Sequence, residues 1–412
     1  MQVANKLKIL TEPFEVLKNG VFARLYLAQT ISLLGDAFTW IGLALISYQF
    51  GKENSAVILA SALTLRVTAF ILFSPFAGVL ADKIDRKKIL YITHFIRMVI
   101  VACFPFITEQ WHIYVLVFLL NVFNAFFTPT YKAIIPHIVD KGIYRQAVGL
   151  STATYQLLGF LGPALAGIMA IWFGARQIFF IDAASFVIAG ILIMTLPGNI
   201  MQGPRSSGKQ LSTWDDVLKG VRLLFGNKLL RFALSIEFIS AIAGAQILVN
   251  TVSHVKTGLQ LTDSHYGLVM AFFGIGASVA AFLSGSIDKS RSRNVSLITG
   301  ALFLGLAITG ANYLSYYPLL FLWLIAGLGQ SLAEIPSETL IGENIKEQEQ
   351  GKVYGSHFAF SHLWWAIAYP IAGFLGTYYP NSNFLIGGLM TMALLTIGIL
   401  FFRTKGNSQG LR

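Results

Sequence analysis

Charged side chains are scarce: Asp, Glu, Lys and Arg make up 12% of the 412 residues, about half the share in an ordinary soluble domain. With 55% of the chain apolar, no single water-soluble core could hide so much hydrocarbon. Cysteine is almost absent. The lone Cys103 excludes a disulfide framework and a thiolate metal cluster, and its place inside an apolar run marks it as packing. Enzyme signatures are missing as well. There is no His-Glu-x-x-His helix and no Walker phosphate loop, and Gly35-Asp36 has no second intramembrane aspartate in a comparable setting. The first twenty residues hold Glu12, Pro13 and Glu15 and no short apolar core ahead of a small-residue cleavage site, so no signal peptide is expected. Nothing implies a cofactor.

What the chain has in abundance is long apolar runs of about 20 residues, enough to cross roughly 30 Å of hydrocarbon. Twelve are expected, near 22–49, 55–80, 88–108, 112–135, 147–173, 177–197, 229–252, 265–287, 295–315, 317–340, 354–378 and 382–402. An all-α membrane protein with twelve transmembrane helices follows. The net charge of +11 does not point to nucleic acid, because 25 of the 30 basic residues fall in the tails and alternate loops on one side. Lys52, Arg176 and Lys256 are those left on the other face. Such asymmetry puts both termini in the cytoplasm.

The chain also repeats itself. Gly78-x-x-x-Asp82-Lys83-x-Asp85-Arg86-Lys87-Lys88 returns in weaker form as Ser284-x-x-x-Asp288-Lys289-x-Arg291-x-Arg293, with the two aspartates 206 residues apart, half the chain. Gly149 and Gly355, and Gly167 and Gly373, keep the same offset, while Pro129 and Pro336, and Pro163 and Pro370, need 207. Two pseudo-symmetric six-helix bundles are expected, residues 1–197 and 229–412, joined by a cytoplasmic linker 198–228 that carries an amphipathic stretch from Trp214 to Phe225.

With these motifs the chain resembles the major facilitator superfamily over its whole length. The Gly78 to Lys88 segment is similar to the loop between that family's second and third helices, with Asp85 standing where glycine is commoner. The resemblance implies a gating role for Gly78, Asp82, Arg86, Lys87 and the related Asp288. Glycine at 78 lets a neighbouring helix approach, and Asp82 can face the positive N-terminal end of the eleventh helix, a latch that favours the outward-facing state. Arg86, Lys87 and Lys88 also serve as topology markers at the lipid headgroups. Gly159-x-x-Gly162-Pro163-x-x-x-Gly167 resembles the motif found mainly in the family's exporters, although small residues at this spacing also pack helices generally. The arginine expected in the family's fourth helix is missing, and Lys132 is the basic residue nearest its inner end. Leu33-Leu34-Gly35-Asp36, Thr39-Trp40 and Phe127-Thr128-Pro129-Thr130 most resemble a bacterial efflux branch that includes macrolide, enterobactin and nickel exporters. The tail from Arg403 to Arg412 lacks the histidine-rich tract often seen in nickel exporters.

Ionisable side chains inside a span cost roughly 2.5 to 3.5 kcal/mol each and usually face a cavity or a partner. Asp36 and Arg66 lie about halfway along the first two spans, so a buried pair is expected, either a static lock or a coupling site that takes a proton or a cationic substrate. Glu237 in the seventh span is the second candidate for the cavity. Asp182 and Arg97 lie nearer span ends, where structural roles and contact with water are expected. Glu334 and Glu338 flank Pro336 and suit capping or a gate contact. His357 and His362 are five apart, about 140° around a helix, which argues against a shared metal site. Trp40, Trp364, Trp365 and Tyr369 suit either an interfacial belt or stacking on an amphipathic solute.

Together these features imply a secondary transporter of a bacterial inner membrane, monomeric, in which two bundles rock about a central site and export a small amphipathic solute, a drug or siderophore, in exchange for protons. Its partners are the solute or ion, protons and membrane lipids, with no nucleic acid. The alternatives are a divalent-cation exporter using Asp36 with donors such as Asn250 or His254, an importer of a siderophore or lysolipid, and a non-transporting receptor or scaffold.

Overall fold

The computed structural model describes residues 12–83, 85–140, 143–198, 214–287 and 293–404. Thirteen α-helices dominate the described residues, and no strand occurs among them. They are α1 (Gly20–Gly51), α2 (Ser55–Lys83), α3 (Arg86–Cys103), α4 (Gln110–Ile138), α5 (Tyr144–Phe173), α6 (Ile178–Met194) and the short α7 (Trp214–Gly226). There follow α8 (Lys228–Ser253), α9 (Asp263–Ile287), α10 (Arg293–Gly310), α11 (Tyr316–Asn344), α12 (Glu347–Tyr378) and α13 (Asn383–Thr404). Nine stretches of the described residues are long and apolar enough to cross a bilayer, the first of them, Gly20–Phe73, running through both α1 and α2. In hydrocarbon every backbone N–H and C=O must be satisfied within the protein, and helices do so within each segment.

Polar residues at the helix starts show why the chain turns where it does. Asn19 caps α1 by accepting from the amides of Val21 and Phe22 at 3.0 and 3.1 Å. Its own amide donates to the Ile138 carbonyl at the end of α4. Asn227 caps α8 in the same way, through Leu229 and Leu230. Asp85, the departure from the family's usual glycine, is the N-cap of α3 and accepts from the Lys87 amide at 2.9 Å. A carboxylate there satisfies an orphan amide and complements the helix dipole.

Within the N-terminal half, α1 packs on α5 and α6, α2 on α4, and α3 on α4 and α6. The C-terminal half repeats the scheme with α8 on α12 and α13, α9 on α11, and α10 on α11 and α13. Two helix pairs, α5 with α9 and α2 with α12, carry the contact between halves. At the end away from the termini both halves contribute to one apolar core, from Ile46, Leu59 and Phe179 to Val252, Met270 and Ala372. Toward the termini the cores are separate. One gathers Phe22, Leu90, Tyr131 and Ile193 of the first half, the other Leu230, Leu297, Ile341 and Leu395 of the second. Among the described residues, the apolar core common to both halves lies at the end away from the termini.

The linker helix α7 belongs physically to the second half. Its Gly220 lies against the Lys352 carbonyl and Ser356 of α12, Phe225 meets Phe360 edge to face at 4.9 Å, and Leu224 is fully buried. Lys219 pairs with Glu349 at 2.6 Å and holds that exposed carboxyl below the usual carboxylate range. Cys103, expected as packing, is exposed at the end of α3.

Candidate functional site

Three helices of the first half bring two carboxylates and one guanidinium together. Arg97 of α3 donates from one terminal nitrogen to both carboxylate oxygens of Asp36 at 3.4 Å and to Ser32 Oγ at 3.2 Å. Asp182 of α6 accepts from Thr39 Oγ1 of α1 and, at 3.1 Å, from Ser185 Oγ. It also lies within electrostatic reach of Asp36 and Arg97. The Arg97 side chain is 1% exposed and Asp182 is fully buried, whereas the Asp36 side chain remains 20% exposed. Asp36 is thus the member of the group with an open approach. The Arg97 guanidinium stacks on Phe186 at 4.0 Å and faces Phe127 at 5.3 Å, so Phe127 of the Phe127-Thr128-Pro129-Thr130 segment forms part of the wall.

The expected direct Asp36–Arg66 pair is not formed: Asp36 contacts Arg97, and Arg66 stays within electrostatic reach of it. Arg66 is 11 residues into α2 and Trp40 is 11 residues from the end of α1, so Arg66 is level with Trp40 and lies over its ring at 4.0 Å. Asp36 is one turn deeper and finds Arg97. Arg97 and Asp182 do not reach water as expected. The physical cause is the low start of α6: its first residues, Ile178 and Phe179, lie against Gly42 and not against the end of α1. A Cβ on Gly35 would strike Ser185 and Asp182, so glycine at 35 is what lets α6 press a carboxylate against α1. Asp36 therefore does have a second aspartate beside it. The signal in the sequence was the polar face formed by Ser32, Asp36 and Thr39, which calls for polar partners on two other helices.

In the second half Glu237 of α8 meets His357 of α12, Oε1 to Nε2 at 2.7 Å, with side chains 7% and 10% exposed. His362 points elsewhere, stacking on Phe358 and on Phe70 of α2 at ring distances of 3.9 and 5.9 Å. Gln330 donates to Glu334 one turn along α11. Trp365 and the Gln330 amide oxygen crowd the surface of Gly244, and Trp364 packs on Phe238 at 5.0 Å. Asn250 is taken up by Gln246 and the Ala372 carbonyl, and the His254 ring stands edge-on to Phe384. Neither joins Asp36. Among the described residues no three His, Cys, Asp or Glu side chains converge as metal ligands.

The exporter-like segment divides by contact. Gly167 meets the backbone of Gly267 on α9, Gly162 lies against Ala37 of α1, and Gly159 faces open space. Pro163 lies within α5, its side-chain surroundings outside the described residues. Of the gating segment, α2 runs through Gly78 and Asp82, but their surroundings, and Asp288 altogether, lie outside the described residues, as does the side chain of Glu338. Lys87 donates to the Leu196 carbonyl just beyond the end of α6, a helix-end contact, while Arg86 is half-buried at the start of α3.

Comparison with known proteins agrees with this architecture. The chain is 24% identical over 397 residues to macrolide efflux protein A of Streptococcus pyogenes, covering 91% of this chain and 94% of that one. It is 24% identical over 327 residues to the staphyloferrin A transporter of Staphylococcus aureus, covering 76% and 80%. Among solved structures the nucleoside transporter NupG superposes with a TM-score of 0.71 at 14% identity, over 93% of this chain and 99% of that one, a likeness of fold. The Major Facilitator Superfamily family model matches residues 25–245 and 234–411. A bundle of apolar helices, a buried charge group inside it and a family match from end to end make this chain a multi-span membrane transporter of the Major Facilitator Superfamily.

Proposed function

We propose that the protein exports a small amphipathic solute across a bacterial inner membrane in exchange for protons, by alternating access between two six-helix halves. The observation that carries this reading is the Asp36–Arg97–Asp182 group, two carboxyls against one guanidinium in a buried setting, with only Asp36 partly open. In a low-dielectric interior such a group is nearest neutrality when it holds one proton, and the open Asp36 is where that proton would enter and leave. Exchange of the Asp36 proton would strengthen or weaken its hold on Arg97, and so the packing of α1 on α3.

Support for the solute class comes from Trp40 under Arg66 and from Trp364, Trp365 and Tyr369 on α12, apolar faces beside polar groups. Relatives named for macrolide efflux and staphyloferrin A transport favour the same class. With both termini in the cytoplasm and twelve crossings, the core shared by the halves lies on the outer side of the membrane.

The test is a pair of assays in a transporter-poor bacterium carrying wild type or Asp36→Asn. Wild type should protect against macrolides or siderophores and drive their accumulation in inside-out vesicles when a pH gradient is imposed. Asp36→Asn should do neither at an equal level in the membrane. Gradient-driven transport undiminished in Asp36→Asn would remove the coupling role, and protection against nickel or cobalt alone would replace the solute class with a divalent cation.

A further inference from the structure

The coupling scheme above uses the first half and leaves a second buried ionisable pair unused. Glu237 and His357 sit on two packed helices of the second half, α8 and α12. Glu237 lies nine residues from the start of α8 and His357 ten from the start of α12, whereas Asp36 lies 16 from the start of α1. Counted from the helix starts at 1.5 Å per residue, the pair is about 10 Å nearer the end that carries the termini than Asp36. The rings next to it, Phe238 and Trp364, pack against the core that both halves share.

The same two helices carry a run of aromatic contacts beside the pair, Phe238 on Trp364 and Trp364 on Phe360, with Phe225 of α7 closing on Phe360. The second oxygen of Glu237 has no hydrogen-bond partner. Charges on the neighbouring elements are matched elsewhere. Lys219 of α7 is engaged by Glu349, Arg293 of α10 by Glu343 of α11 at 2.7 Å, and Arg66 of α2 lies over Trp40. Glu334 of α11 accepts from Gln330, and Arg231 lies nearly two turns below Glu237 on α8. A buried carboxyl oxygen 2.7 Å from an imidazole nitrogen makes its strongest contact with one proton between them, and a change in the protonation of the pair alters that contact.

We infer that Glu237 and His357 form a second proton-binding site, between α8 and α12 of the second half, and that its occupancy sets how firmly α12 is held to α8. The site is independent of Asp36 and of the direction of transport. Ser356, the residue before His357, lies under Gly220 of α7, so loosening α12 here also loosens the seat of the linker helix.

The experiment is the thermal unfolding midpoint of the purified full-length protein in detergent across the titration range of histidine, roughly pH 5 to 8. The comparison set is wild type, Glu237→Gln, His357→Gln, the double variant, Asp36→Asn and His362→Gln. Wild type and His362→Gln should share a profile that falls by a few degrees on either side of a maximum, and Asp36→Asn, which removes only the titrating carboxyl of the first half, should still fall on both sides. Glu237→Gln and His357→Gln should each flatten it, and the double variant should add nothing. A wild-type profile retained in His357→Gln overturns the inference. Should the Glu237 variant fail to fold, the nitrogen resonances of His357 in labelled wild-type protein, assigned by their loss in His357→Gln, decide the matter. Titration of that ring over the same interval supports the site, and a ring that keeps one protonation state throughout removes it. Loss of transport in Asp36→Asn leaves either result unaffected.

Discussion

Gly167 of α5 and Gly267 of α9 meet backbone to backbone, so that a Cβ built on either would run into the carbonyl group of the other. This contact joins the halves at the end where they share a core, and Gly373 of α12 against Ala60 of α2 is its counterpart across the bundle.

Gly167→Leu should therefore hold the far end apart. Transport should fall at least tenfold with the protein still in the membrane. Thr257, just beyond α8, meets the Tyr48 hydroxyl of the first half at 2.8 Å, so in a Cys103→Ser background a cysteine at 257 should react faster with a membrane-impermeant maleimide in Gly167→Leu than with glycine at 167. Unchanged labelling would show that the two helices can accommodate the side chain.

The two arginines of the first half should behave differently. Breaking a buried pair by removing one partner costs about 3 to 5 kcal/mol, whereas a cation over a half-buried ring such as Trp40 contributes about 1 to 2. Arg97→Met leaves Asp36 and Asp182 without their cation and should cut the yield of folded protein sharply; Arg66→Met should leave yield nearly intact and weaken solute affinity. Equal yields, measured by size-exclusion after detergent extraction, would contradict the placement of Asp36 on Arg97.

Asp85 should be replaceable by the glycine more usual in the family but not by alanine. An N-cap aspartate exchanged for alanine costs about 1 kcal/mol, and exchanged for glycine a few tenths. The unfolding midpoint should order as wild type, Asp85→Gly, Asp85→Ala. A drop in Asp85→Gly as large as in Asp85→Ala would mean that the carboxylate acts beyond the cap.

The seat of α7 rests on the small surface of Gly220 and on Lys219–Glu349. Gly220→Val should unseat it, and limited trypsin digestion at Lys219 and Arg222 should accelerate several-fold. The ion pair adds a pH term of known sign. Because Lys219 lowers the carboxyl below 4.5, its contribution is complete above that value and is lost as pH falls through the lowered one. Digestion of α7 by pepsin, a protease active at acid pH that cuts beside Leu and Phe, should thus quicken as pH falls below 4.5 more in wild type than in Glu349→Gln. The same acid response in both would place the pH sensitivity elsewhere.

How much of this was legible beforehand varies with the kind of physics involved. Span existence and helical class are local properties: twenty apolar residues cross a bilayer whatever surrounds them. Asn19, Asp85 and Asn227 act on amides two or three residues away, so the starts of α1, α3 and α8 were within reach of a close look at the chain. Glu237 and Asp36 were recognisable as costly groups in need of partners. Their partners were not. Depth counted along α1 and α2 set Asp36 beside Arg66; both helices begin within two residues of the expected spans, and it was the packing of α3 on the first half that gave Asp36 to Arg97.

Composition, periodicity of apolar runs and the family motifs settled that this chain is a helical membrane transporter, because those features report transfer from water to lipid, a sum over residues that needs no neighbours. Which carboxylate faces which cation was decided by tertiary packing alone. Ion pairing falls off within a few ångströms, and the azimuth and height of each helix are set by contacts such as Gly35 under Asp182, between residues far apart in the chain. The same packing set His357 against Glu237, a partnership between residues 120 apart for which the sequence held only two costly side chains at matching depth.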